Sequence, residues 1–146
     1  MKLYELKKTK TTFPVVAISK SVDAANFIRE FYSDDIEIFE SAFILLLNRA
    51  NKTIGYAKIS QGGIAGTVID VKLICKYVVD SLASGVILCH NHPSGNLQPS
   101  NQDKEITIKV KQALELLDSI LLDHIILTKE SYTSLKDEGI IWKNAL

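Results

Sequence analysis

The residues with the most chemical content lie in one stretch, His90-Asn91-His92-Pro93-Ser94-Gly95-Asn96-Leu97-Gln98-Pro99-Ser100-Asn101-Gln102-Asp103. In an extended strand, side chains at i and i+2 share a face, so His90 and His92 can aim two imidazoles at one ion while Cys89 and Asn91 point away. Pro93 and Gly95 break the strand and turn the chain back. Ser100 and Asp103 then fall one helical turn apart on the same side, where Asp103 can supply a third ligand. Two nitrogens and one oxygen form the ligand set expected of catalytic Zn2+, which keeps its fourth tetrahedral position for water. Such a centre still needs a carboxylate to move protons between nucleophile and leaving group, and Glu40, near the end of an apolar run, is the candidate. The Ser100 hydroxyl can donate a hydrogen bond to the oxyanion that develops when a carbonyl is attacked.

Each part also has an ordinary structural reading. A lone His-x-His on a strand is more often structural than metal-binding. Ser100-x-x-Asp103 is a capping box for the helix that follows, a role that competes for the same carboxylate. Glu40 taken alone is equally a surface carboxylate where a strand begins. Asp123-His124 lies in another apolar run, where a histidine is usually a hydrogen-bonded core residue, with a supporting or substrate-facing role as the alternative.

The elements that must position these groups follow from the apolar pattern. Residues 13–19 read as a short extended piece, and Ser21 as the N-cap of a helix to about Tyr32, with Asp23 in its first turn. The run from Ile36 to Asn48 is too continuously apolar for a strand with one wet face, which places it in a sheet covered on both sides, with Glu40 at its entrance. Asn48 to Lys52 reads as a turn and Thr53 to Ser60 as the returning strand of a hairpin. Gly62, Gly63 and Gly66 mark a loop, Thr67 to Ile69 reads as a third strand, and Asp70 caps a helix whose inner face carries Ile74, Val78 and Leu82 and which Gly85 stops. Val86 to His90 is a buried strand. A helix from Ser100 to about Leu117 turns Ile106, Val110, Ala113, Leu114 and Leu117 inward, and Leu121 to Leu127 is the last clear strand. The segment 131–146 reads as a short helix or turn and an extended end. This order predicts a mixed α/β fold, a sheet flanked by helices.

Composition narrows the function classes. A chain of 146 residues, 47% hydrophobic, fills one continuous core. Lys plus Arg and Asp plus Glu both number 17, so the formal net charge is zero and no bulk field draws in nucleic acid. Locally, Lys2, Lys7, Lys8, Lys10 and Lys20 face only Glu5 in the first twenty residues, which reads as a solvated leader, with a basic contact patch as the alternative. The two cysteines, Cys75 and Cys89, sit inside apolar runs and read as a reduced pair, which implies a cytoplasmic protein. No stretch has the roughly 20 apolar residues a bilayer span requires, so no membrane role is expected.

Taken together, His90-x-His92-Pro93, six intervening residues, Ser100, two more and Asp103 match the JAMM (MPN+/JAB) metalloprotease motif without a gap, and Glu40 fits its upstream glutamate. The chain resembles the RadC family of JAMM-like bacterial proteins more closely still, through HNHPSG at 90–95, PS at 99–100 and LDHIIL at 122–127. The resemblance runs from about Ile36 to Ile141, dividing the chain into a leader and helix at 1–35 and a JAMM-type domain at 36–146. It implies a mixed sheet of the JAMM type, related in layout to zinc deaminases, with zinc on His90, His92 and Asp103. It also implies that Glu40 activates water, that Ser100 steadies the tetrahedral intermediate, and that the bond cut is a peptide or isopeptide amide in a peptide or protein substrate. An association with DNA repair comes with the family, so nucleic acid enters as a partner by that association alone. Two departures bear on the transfer. Residues 1–35 are too few for the helix-hairpin-helix segment many members carry, and Val71-Lys72-Leu73 stands where the family often shows Pro-Arg-Glu.

Competing classes separate on residues. Nucleases named for the letters HNH spread those residues over a ββα-metal unit, whereas here they are consecutive. A zinc deaminase needs His-x-Glu and Pro-Cys-x-x-Cys, and the cysteines here are fourteen apart. The remaining rival is a non-enzymatic interaction module in DNA recombination or mobile-element biology.

Overall fold

The continuous apolar run is the centre of the fold. In the computed structural model, which describes residues 1–5, 7–63 and 66–142, strand β1 (Ser41–Leu47) is buried along its whole length. It pairs antiparallel with β2 (Thr53–Gln61) on one side and with β3 (Gly85–Asn91) on the other. Strand β4 (Ile120–Leu127) runs parallel to β3, and the short β5 (Tyr132–Ser134) closes the far edge antiparallel to it. The strand order is β2-β1-β3-β4-β5, a five-stranded mixed sheet. The parallel β3–β4 pair requires a crossover, and helix α3 (Asn101–Glu115) provides it.

Helices cover both faces, which is why the central strands have no polar face. Helix α1 (Ser21–Arg29) lies on one face and buries Ala24, Ala25, Phe27 and Ile28 against Leu45, Leu47, Ile87, Cys89, Ile125 and Leu127. Helices α2 (Val71–Ser81) and α3 lie on the other, against Ala42, Ile44, Leu46, Val86, Leu88 and Leu121. Along β3, Val86 and Leu88 face α2 and α3 while Ile87 and Cys89 face α1. That alternation carries His90 toward α3. Cys89 is buried, Cys75 is half-buried, and neither is in a disulfide. Among the described residues no helix is long and apolar enough to cross a membrane.

Several boundaries differ from the sequence reading. Helix α1 is capped at Lys20, not Ser21, because the Asp23 carboxylate reaches back to the backbone N–H groups of Ser19 and Lys20. Residues 67–69 form no strand; that segment crosses beside the site as a loop. Asp70 caps α2 as expected, its side chain accepting from the Leu73 N–H. The helix ends earlier than Gly85, at Leu82, which adopts a left-handed φ of 55° and turns its side chain into solvent, so that Ala83 takes the inward position. Helix α3 likewise stops at Glu115, leaving Leu117 38% exposed. Beyond β5 the described chain continues in turns, and the expected extended end falls partly on residues 143–146, outside the described residues.

Candidate metal centre

The end of β3 and the start of α3 meet at one point. The His90 and His92 Nε2 atoms lie 3.0 Å apart. Asp103 places Oδ1 3.2 Å from His90 Nε2 and Oδ2 3.3 Å from His92 Nε2. A tetrahedral divalent ion with bonds of about 2.0–2.1 Å holds neighbouring ligand atoms about 3.3 Å apart, close to these separations, with Asp103 meeting the two histidines through different oxygens. Glu40, at the entrance to β1, completes the ring, with one carboxylate oxygen within 4.8 Å of the ligating nitrogens of both histidines.

The cap and the ligand set coexist. Ser100 is the N-cap of α3, its Oγ accepting from the Asp103 N–H at 3.0 Å, while Asp103 Oδ2 accepts from the Ser100 N–H at 2.8 Å. A carboxylate oxygen has more than one lone pair, so the cap orients Asp103 and leaves it free to face the imidazoles. Because Ser100 Oγ accepts in the cap, its own proton remains available to the cleft. The half-buried position of Asp103 would raise its pKa, but the adjoining His90 and His92 rings and the Ser100 N–H prevail and hold it well below the usual carboxylate range. For His92, burial works toward a lower pKa, and the Asp103 carboxylate and Asn96 carbonyl outweigh it, raising the imidazole above its ordinary value.

Backbone carbonyls and neighbouring side chains aim the rings. His92 Nδ1 lies 2.6 Å from the Asn96 carbonyl oxygen, which can only accept, so Nδ1 carries the proton and Nε2 is bare in the neutral ring. His90 Nδ1 lies 2.7 Å from Nε2 of His124, which is fully buried on β4. Burial, helped by neighbouring His90, pushes the His124 imidazole well below the ordinary histidine range. His124 is the buried, hydrogen-bonded core histidine that its apolar strand implies, and its partner is a candidate ligand.

Glu40 is held by two separate devices. Its backbone carbonyl accepts from the Gly62 N–H at 2.8 Å, and its Oε2 accepts from the Thr67 N–H at 2.7 Å. Gly62 makes this loop possible, because a Cβ there would sit 1.7 Å from the Gly66 carbonyl oxygen. On the other face of the sheet, the fully buried Asn91 pins the segment that carries Glu40. Its Oδ1 accepts from the Ser41 N–H at 2.7 Å, and its Nδ2 donates to the carbonyls of Ile36 at 2.7 Å and Phe39 at 2.8 Å. The residue between the two histidines thus fixes the backbone on both sides of Glu40. Strand alternation points Asn91 away from the candidate ion and gives it no task; its polarity inside an apolar strand is the one signal of this role in the sequence.

All five residues singled out in the sequence, Glu40, His90, His92, Ser100 and Asp103, line a single open cleft of about 940 Å³. A second depression of about 520 Å³ adjoins it and shares Glu40, Gly66, His92 and Ser100, so the centre sits partway along a longer groove.

Comparison with known proteins agrees with this arrangement. The model of the RadC-like JAB domain matches residues 18–140, a span that includes α1. A UPF0758 protein of Flavobacterium johnsoniae is 54% identical over 101 residues, which is 69% of this chain and 44% of that protein. Its counterpart in Porphyromonas gingivalis is 44% identical over 103 residues, 70% of this chain and 45% of the relative. A UPF0758 protein of Clostridium acetobutylicum is 32% identical over 141 residues, 95% of this chain and 60% of the relative. The chain thus spans about half the length of the curated relatives it matches. With a matching domain model and a mixed sheet that brings the motif residues to one cleft, the chain belongs to the RadC-like JAB domain family.

Proposed function

We propose that this chain is a zinc-dependent hydrolase that cleaves a peptide or isopeptide amide bond. The observation that carries the reading is the 3.0–3.3 Å spacing of His90 Nε2, His92 Nε2 and the Asp103 carboxylate, with Glu40 beside them in an open cleft. His90, His92 and Asp103 hold the ion. Neutral nitrogens with one carboxylate suit a borderline-soft divalent cation and leave it Lewis-acidic. Zinc in such a site activates water for attack at neutral pH.

The protein residues do the rest. Glu40 is anchored through Oε2 to Thr67, which leaves its other oxygen to accept a proton from the attacking water and deliver it to the leaving amine. Ser100 directs its hydroxyl proton at the carbonyl oxygen as that oxygen gains charge. The two adjoining depressions let an extended polypeptide lie on both sides of the scissile bond, which suits a protein substrate better than a small one. Partners beyond a polypeptide substrate, nucleic acid included, rest on family association alone, and a cytoplasmic setting is inferred from the free cysteines.

The test is metal analysis of purified protein beside His92→Ala and Asp103→Ala, followed by hydrolysis of a fluorogenic isopeptide substrate. One zinc per chain in wild type and none in either variant is expected, with turnover tracking the metal. Wild type without stoichiometric zinc overturns the enzyme reading and leaves the domain as a binding module.

A further inference from the structure

We propose that the cleft selects a polypeptide carrying an aliphatic side chain beside the scissile amide, and that Ile69 and Ile106 are the residues that select it. The proposal rests on the hydrolase reading for the place of the bond, while recognition itself is measurable without turnover.

Chain position ties each isoleucine to one carboxylate of the centre. Ile106 follows Asp103 by three positions within α3, so the two side chains are neighbours on one helix face. Ile69 follows Thr67 by two positions, and the Thr67 N–H is the group that holds Glu40 Oε2 at 2.7 Å. Both isoleucines are half-buried, packed against the core cluster that contains Ile74 and Leu88, and both line the cleft of about 940 Å³ that holds the candidate ligands. Val68, 83% exposed, extends the same lining toward solvent. An aliphatic wall thus stands next to the groups that would do the chemistry, in a cleft already open to a substrate.

The chemistry of the lining narrows what can cover that wall. Among the described residues, the larger depression carries no ionisable side chain apart from the groups of the candidate centre, Glu40, His90, His92 and Asp103, and no Phe, Tyr or Trp. A charged substrate side chain lodged against Ile69 and Ile106 would shed water and find no partner, and a glycine would leave the wall wet. An aliphatic side chain covers it at no such cost, which is how a mostly apolar pocket with a few fixed polar groups discriminates. The adjoining depression of about 520 Å³ is of mixed character: Ser94, Asn96 and Gln98 line it together with Pro93 and the exposed Glu37, whose carboxylate lies 3.2 Å from Lys129 Nζ. That surface demands no single class of side chain, so selection resides on the side of Ile69 and Ile106. These two residues touch the substrate and not the reacting atoms; they determine specificity.

The test uses the zinc-treated full chain and a mixed peptide library, with cleavage products identified by mass spectrometry. Products are expected to carry Leu, Ile or Val at one fixed position near the cut about 10-fold more often than Gly, Glu or Lys, the discrimination an apolar pocket gives for a missing apolar group. Recognition is read separately by calorimetric titration of the Glu40→Gln chain with two short polar peptides that differ only in a central Leu or Glu, and the leucine peptide should bind about 10-fold more tightly. Ile69→Thr and Ile106→Thr keep the branch at Cβ and add a hydroxyl. Each should leave zinc content unchanged, weaken the leucine peptide and raise KM for aliphatic substrates more than it lowers kcat. A library cut with no side-chain preference, or with a preference for Gly or a charged residue, overturns the proposal and leaves the hydrolase reading intact. Equal affinity for the two peptides, or binding of neither, overturns it as well, as does an aliphatic preference that survives both substitutions. A chain that prefers the leucine peptide yet cuts nothing upholds the selection and overturns the hydrolase reading.

Discussion

Asn91 offers the sharpest test of how the Glu40 carboxylate is held. Replacing it with Leu keeps approximate volume and strand geometry while deleting three hydrogen bonds, to the Ser41 N–H and to the Ile36 and Phe39 carbonyls. At about 1 kcal/mol net for each bond, the loss is about 3 kcal/mol, and more where the abandoned groups stay dry. That is a large part of the 5–15 kcal/mol by which a typical domain is stable. The functional consequence is local. Glu40 lies between Phe39 and Ser41, so releasing both neighbours lets its carboxylate drift, and a misplacement of about 1 Å costs about 10²-fold in rate. None of the three bonds touches His90, His92 or Asp103, so zinc stoichiometry should be unchanged. Urea unfolding with an unchanged slope, zinc titration and isopeptide hydrolysis together read all three effects. A stability within about 0.5 kcal/mol of wild type, the range of an ordinary surface change, would refute the reasoning. Asn91→Asp sharpens the test, since it keeps the acceptor for Ser41 but turns an oxygen toward two carbonyls, and it should be no more stable than Asn91→Leu.

Further outcomes follow from the same geometry. Glu40→Gln removes the proposed proton carrier but keeps an acceptor for the Thr67 N–H, so zinc should remain while turnover falls about 10²–10⁴-fold; joint loss of metal and turnover would make Glu40 structural. Ser100→Ala should cost about 1 kcal/mol of helix capping, whereas Ser100→Gly should cost only a few tenths, yet both should lose about 10²–10³-fold in turnover, as read by thermal unfolding and kinetics. Gly62→Ala drives a methyl into the Gly66 carbonyl, so the loop must move and withdraw the Thr67 N–H from Glu40, retaining zinc while turnover drops. Burial pushes the Cys89 thiol well above its ordinary pKa, so it should resist alkylation in the folded chain and react on denaturation, a difference mass spectrometry resolves.

The sequence by itself determined the parts of the site that are local. His90 and His92 share a face because a strand alternates, and Ser100 and Asp103 meet because a helix turns every 3.6 residues; both follow from spacing alone. The covered central strand was equally legible, since an uninterrupted apolar run leaves no face for water. Segment ends were not. Leu82 leaves α2 because its left-handed φ reverses the chain there, and Thr67 to Ile69 fails to become a strand although its composition allows one. Only the tertiary structure decided what stands behind the candidate ligands. Thr107 reaches His124, and Asn91 reaches Ile36 and Phe39, across 17, 55 and 52 positions of chain. Nothing periodic links such residues. They meet because the β3–α3–β4 crossover and the covered sheet bring them into a dry interior, where each polar atom must find a partner or cost the fold its stability.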